Sequence, residues 1–398
     1  MKQMTIIPKK IKETWHKSRA LRIFAYAVFF RVFIYIVSLC VMAMFGEYQD
    51  AINLTDFLEA WKRWDGYAYL RIAEDGYAGY QENGQFLDIV FYPLYPWLIR
   101  GVTLLTGNYM LSGIIVSVIC YGAGCIYFDK LICMEYDEQT AENALILVSV
   151  FPFAFFFGAI MTESLFFALS AAFLYYVRKH KWHLVALVGF LACLTKIQGM
   201  LLTLVVIAEL FYCYHPVVLL KEKKWKEFWQ KIIMQGLKCV PMICGVFVYL
   251  LMNYVVEGDM FRFMYYQENH WNHTLGPIWY TLSYMWDYVR ESWYTSTGMS
   301  LWIPQFVLFF VGIGAILYGI AKKMRPTYLV YLIAFYLLTY SSTWLISGGR
   351  YMLNALPMFM LGGRFVAEHP KAKMPLVMAS FAFMMVYMIG YYQWKQIM

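Results

Sequence analysis

Apolar stretches, many of them about the length of a bilayer-crossing helix, alternate along this chain with short polar breaks. The first, AYAVFFRVFIYIVSLCVMAMF (25–45), carries a single charged residue, Arg31. A helix needs roughly 20 mostly apolar residues to cross the hydrocarbon core. Runs of this kind predict spanning helices over about 23–45, 109–128 and 143–160. A fourth ends at Arg178, and others follow over 183–195, 198–215, 239–255, 300–320, 327–346, 351–365 and 374–392. The strict alternation of an outer-membrane barrel is absent. The pattern predicts an all-α polytopic membrane protein with about eleven transmembrane helices. Two further segments, 57–73 and 91–106, mix aromatic and charged residues and predict helices lying along the interface.

The polar breaks give an orientation. Basic residues crowd the N-terminus (1–22), RKHKW (178–182), KEKKWKEFWQK (221–231), AKKMR (321–325) and EHPKAK (368–373). With the helices above, all of these fall on one side, which the positive-inside rule makes the cytoplasmic one. The opposite side then receives two long loops, 46–108 and 256–298. The chain divides into a cytoplasmic basic N-terminus (1–22) and a single transmembrane domain (23–398).

Composition sharpens this reading. The chain is 61% hydrophobic and 15% charged, against about a quarter charged in soluble domains. Its net charge of +8 would suggest nucleic acid in a soluble protein, but here topology accounts for it and no nucleic-acid partner is expected. The eight cysteines lack the paired spacing of zinc or redox motifs and read as reduced core thiols. No P-loop, G-x-G-x-x-G or D-x-D pattern occurs on a loop, so nothing points to a nucleotide substrate.

Candidate chemistry gathers on the outer face. Asp65, between Trp64 and Tyr67, would sit at the membrane boundary as a general base, or as a helix cap within an aromatic belt. Glu163, in the turn MTES, could bond a sugar hydroxyl or sit against a helix N-terminus. Lys196 in LTKIQG, with Gln198 beside it, would hold a phosphate or snorkel to the interface. Arg350 in SGGRYMLNALP, followed by Tyr351, is the sharpest cation: two glycines permit close approach, and a guanidinium binds phosphate through two bonds. In YYQENHWNH (265–273), Gln267 and His270 could bond hydroxyls while Trp271 stacks on a sugar face. The His-x-x-His spacing there is the one feature suggesting a divalent cation; no other cofactor is called for.

Four of these motifs, in order, resemble the PIG-V family of integral membrane glycosyltransferases. WDGYAYLRIAEDGY (64–77) is similar to that family's W-D-x-x-x-Y-x-x-I-A-x-x-G-Y, and FYPLYPWLIR (91–100) to F-F-P-L-Y-P-x-L-I-R. FPFAFFFGAIMTESLFFALS (151–170) is similar to its F-P-x-x-F-F…Y-T-E-S-L-F segment, with Met161 where the family has Tyr, and SGGRYMLNALPMF (347–359) to its R-Y-x-L…P-x-F. TKIQG (195–199) stands where the family has T-R-P-x-G, which moves weight for phosphate contact onto Arg350. The resemblance implies a GT-C fold, with the acidic residue of the first outer loop, here Asp65, as the catalytic group. It implies a polyprenyl-phosphate sugar donor, a transferred hexose with mannose the expectation, and a glycolipid or glycan acceptor. A bacterial cell membrane, with the site on the extracytoplasmic face, is the implied setting. The rival from another class is a transporter or lipid flippase, which predicts internal repeats and interrupted helices meeting at mid-membrane; no such repeat is evident.

Overall fold

A computed structural model describes residues 18–45 and 52–397, so most of the basic N-terminus lies outside the described residues. Among the described residues the regular structure is entirely helical. Six helices among these residues are long and apolar enough to cross a membrane: Arg19–Phe45, Tyr109–Glu135, Ile197–Tyr214, Trp225–Glu257, Gly298–Ala321 and Pro370–Tyr392. Trp182–Cys193 and Pro326–Tyr340 are shorter apolar helices. Three more predicted spans appear as Glu138–Val150, Glu163–Arg178 and Leu356–Glu368, none longer than 16 residues. All three are extensively buried by neighbouring helices. This is a multi-pass integral membrane protein.

Several boundaries differ from the sequence reading, each for a local reason. The polar break between the spans expected at 109–128 and 143–160 is mostly helix, because Tyr109–Glu135 runs on and Asp137 caps the next helix by accepting from Thr140 N. Much of the basic stretch 221–231 is also helical, extending the 239–255 span back to Trp225; Glu227 and Lys231 pair one turn apart at 2.6 Å. The span expected to reach 160 stops at Val150, since Pro152 pushes Phe151 into extended backbone (ψ 142). The segment 57–73 is two helices, Leu54–Trp61 and Asp65–Asp75, and 91–106 forms Leu94–Thr106. The 327–346 helix ends at Tyr340, and Pro357 opens Leu356–Glu368, leaving Gly348–Met352 as a separate turn between them.

Arg31, fully buried in the first span, explains how the Val150 break is tolerated. Its Nη1 donates to Ala154 O (2.6 Å) and its Nη2 to Ser149 O (3.0 Å), while the guanidinium lies over the Tyr121 ring. A helix end leaves carbonyls without partners; here a buried cation supplies a donor to Ser149 O in the last turn before the break and another to Ala154 O, where the next short helix begins. The chain then descends through Phe153–Thr162 to the start of the next helix at Glu163.

Candidate active site

Asp65 is the first helical residue of Asp65–Asp75, where the helix dipole favours a carboxylate. The residue before it, Trp64, has φ 45 and ψ −114, a backbone region costly for a bulky side chain. Aromatic packing from the C-terminal helix holds it there. Trp64 meets Tyr391 edge-on (5.2 Å) and Trp394 (6.1 Å). Arg63 lies 3.9 Å over the Trp394 ring. The break that separates the two interfacial helices therefore also aims Asp65.

Three other elements bring charges to the same point. Glu163 opens its helix at the end of the descending segment and is 1% exposed. Lys196 follows the turn that ends Trp182–Cys193, with its backbone N bonded to Ala192 O. Arg350 sits in the Gly348–Met352 turn. A Cβ on Gly349 would lie 2.4 Å from the Phe153 ring, so only glycine lets this turn pack so closely. Gln305, buried near the start of the apolar helix Ile303–Ala321, grips the same turn from both sides. Its Oε1 accepts from Gly348 N (2.8 Å) and its Nε2 donates to Leu345 O (3.1 Å).

The result is a compact cluster of two acids and two bases. Arg350 Nη1 lies 2.7 Å from Asp65 Oδ2, and Arg350 Nε lies 3.3 Å from Glu163 Oε1. Lys196 Nζ donates to the same Glu163 oxygen at 2.6 Å. The Tyr351 ring flanks both cations, and Phe156 lies beside the guanidinium. Burial weighs against the Arg350 charge, yet Asp65 and Glu163 overcome it and hold the guanidinium above its ordinary pKa. Burial pulls the Lys196 ammonium below its ordinary value, with Glu163 opposing and Arg350 reinforcing the shift. Asp65 is the open member, with 24% of its side chain accessible; Arg350 and Glu163 are almost fully enclosed.

Of the residues singled out in the sequence, Asp65, Glu163, Lys196 and Arg350 thus converge, with Trp64 and Tyr351 beside them. Gln198 is half-buried in the turn just after Lys196. Gln267, His270 and Trp271 lie instead on Arg262–Trp271, a helix packed over the first outer loop. There Tyr266 joins Ile72, Tyr77, Leu87, Ile89 and Val90 in a small apolar core of its own. His270 and Trp271 are exposed, and the His270 Nε2 meets Gln85 Oε1 at 2.6 Å. Gln305 escaped the sequence reading, although one amide inside WIPQFVLFFVG was the available signal.

No family model matches the chain, and neither does any curated protein. Among solved structures it is similar to ArnT from Cupriavidus metallidurans bound to undecaprenyl phosphate, with a TM-score of 0.51 and 14% identity. The apo structure of the same ArnT matches with a TM-score of 0.52 and 15% identity. Both matches cover 81% of this chain. The fold is GT-C. The chain spans 61% and 60% of the two ArnT chains, and at this identity the likeness speaks to architecture alone. Within this GT-C frame the four-charge cluster draws on the first interfacial region, the Glu163 helix, the Lys196 turn and the Arg350 turn.

Proposed function

We propose that the protein is a glycosyltransferase that moves a hexose, with mannose the first expectation, from a polyprenyl-phosphate carrier to an acceptor hydroxyl at the extracytoplasmic face of a bacterial membrane. The observation that carries this reading is the convergence of Asp65, Glu163, Lys196 and Arg350 on a GT-C scaffold. A lipid monophosphate arriving at the membrane edge needs cations within reach, and an acceptor hydroxyl needs a carboxylate to take its proton. The cluster supplies both within a few ångströms. The PIG-V-like motifs support mannose, and the undecaprenyl phosphate bound by the ArnT neighbour is a carrier of the class expected here.

In this mechanism Asp65, the accessible acid, accepts the proton of the acceptor hydroxyl. The acceptor oxygen bonds the anomeric carbon as the bond from that carbon to the phosphate oxygen breaks, inverting the centre. Arg350 and Lys196 stabilise the departing lipid phosphate. Glu163, enclosed between the two cations, orients them and offsets their charge when no phosphate is bound. Gln198, beside Lys196, is assigned to the sugar, and Gln267, His270 and Trp271, on the separate helix over the first outer loop, to the acceptor side.

Purified protein in lipid nanodiscs, offered a panel of polyprenyl-phosphate sugars, should transfer or release sugar from at least one of them. Efficient transfer from a nucleotide sugar with no lipid carrier present would overturn the proposal.

A further inference from the structure

At the end of the bundle opposite Asp65, the same helices carry a second polar knot. The helix that begins at Glu163 ends at Arg178, about 22 Å along its axis. His180 follows in a left-handed turn (φ 52), a conformation that needs support from its surroundings. Glu209 and Cys213, four residues apart on one helix face, meet it there. His180 Nε2 lies 3.0 Å from Glu209 Oε1, Cys213 Sγ lies 3.5 Å from that same oxygen, and Sγ lies 3.7 Å from Nε2. Tetrahedral zinc with ordinary bond lengths would set these three edges at about 3.3–3.6 Å.

The other atoms of the triangle are already engaged. The Tyr214 hydroxyl lies 3.5 Å from His180 Nδ1. Glu209 Oε2 accepts from Thr327 Oγ1 (2.5 Å) and Arg325 Nε (3.0 Å). Contacts of this kind select the imidazole tautomer and orient the carboxylate around a metal. Arg325 Nη2 donates to Glu209 Oε1 (2.7 Å) and lies 3.2 Å from Cys213 Sγ, as a donor to a metal-bound thiolate would. Glu209 is fully buried, whereas the His180 side chain is 34% exposed. An opening of about 320 Å³ lined by His180, Lys181, Trp182 and His183 adjoins the imidazole.

We propose that His180, Glu209 and Cys213 form a three-ligand site for a zinc-class divalent cation, with its fourth position open on the His180 side. The site is distinct from the Asp65 cluster and independent of the glycosyltransferase reading. Binding converts the Cys213 thiol to a thiolate and releases its proton to solvent, while Arg325 remains bonded to Glu209.

The test is a cobalt(II) titration of full-length protein in nanodiscs after removal of metal by a chelator. A sulfur-to-cobalt charge-transfer band should appear and saturate, and zinc should bleach it. Cys213→Ser should abolish that band while helical circular dichroism and elution volume stay those of the wild type. His180→Asn should weaken cobalt binding about tenfold or more. Absence of the band in the wild type, or its persistence in Cys213→Ser, would overturn the assignment.

Discussion

Replacing Asp65 by Asn removes the proposed base and, in the same step, one of the two carboxylates that face Arg350. The two effects can be weighed separately. Asp65 is 24% accessible and Arg350 keeps Glu163 at 3.3 Å, so the lost pair lies between an exposed salt bridge and a fully buried one. Exposed pairs contribute about 0–1 kcal/mol, and breaking buried ones costs about 3–5 kcal/mol. An intermediate loss of about 1–2 kcal/mol leaves the variant folded. Losing general-base help costs about a hundredfold to ten-thousandfold in rate, equivalent to about 2.7–5.4 kcal/mol in the barrier. The electrostatic consequence for the donor runs the other way. With one carboxylate gone, a lipid phosphate competes with Glu163 alone for Arg350, so the donor KM should hold or fall. The assay is steady-state transfer with kcat and donor KM resolved, alongside thermal unfolding of the same preparation. The expected outcome is kcat lower by at least about a hundredfold with no rise in KM. A kcat within a few-fold of wild type together with a raised KM would refute the reasoning. Asp65 would then be an anchor for Arg350, and Glu163 the leading candidate for the base.

Four other expectations follow from the same geometry. Arg350→Lys should raise the donor KM, because an ammonium cannot reproduce a guanidinium's contacts to Asp65, Glu163 and a phosphate together; an unchanged KM would remove Arg350 from donor binding. Gln305→Leu leaves Gly348 N and Leu345 O without their side-chain partner, so it should lower stability by about 1–3 kcal/mol and raise donor KM, as measured by unfolding and kinetics. Burial holds Lys196 below the ordinary lysine pKa, so raising the pH discharges it earlier than an exposed lysine. The alkaline limb of kcat/KM for the donor should accordingly move to higher pH in Lys196→Arg, and an unmoved limb would exclude Lys196 from it. Single cysteines in a cysteine-free background should react with an impermeant thiol reagent in intact cells at Gln81 and Asn272, but not at Lys179 or Lys223; the reverse pattern would invert the assigned faces.

Hydropathy located the helices because bilayer thickness imposes a length on any segment that crosses it. Arg350 was legible on similar grounds: two glycines beside a lone cation at a helix end mark a tight backbone approach with a charge held inside it. The pairing of Lys196 with Glu163 was not legible, since it depends on how two turns far apart in sequence dock. Helix breaks were harder still. Lys62–Trp64 interrupts an apparently continuous amphipathic pattern because Trp394, remote in sequence, packs against Arg63 and Trp64. Charge also misled at 221–231, where lysines and glutamates spaced a turn apart favour helix as readily as loop. Gln305 and Arg31 share a lesson: a single polar side chain within an apolar run marks a buried backbone group that needs a partner.

The two acids and two bases around Arg350 form an internal salt whose formal charges cancel. Such a centre projects little field into the water, where ions already mask anything beyond roughly 8 Å. Soluble anions therefore have little reason to be drawn toward it from a distance. On the proposed function, a lipid-borne phosphate would reach it by another route, drifting sideways in the leaflet until it touches the cations directly and exchanges places with a carboxylate. Encounter would follow traffic in the plane of the bilayer, and the on-rate would respond weakly to ionic strength. For such a donor the neutral pairing would act as a filter on how a substrate arrives, favouring delivery through the membrane over delivery through the solvent.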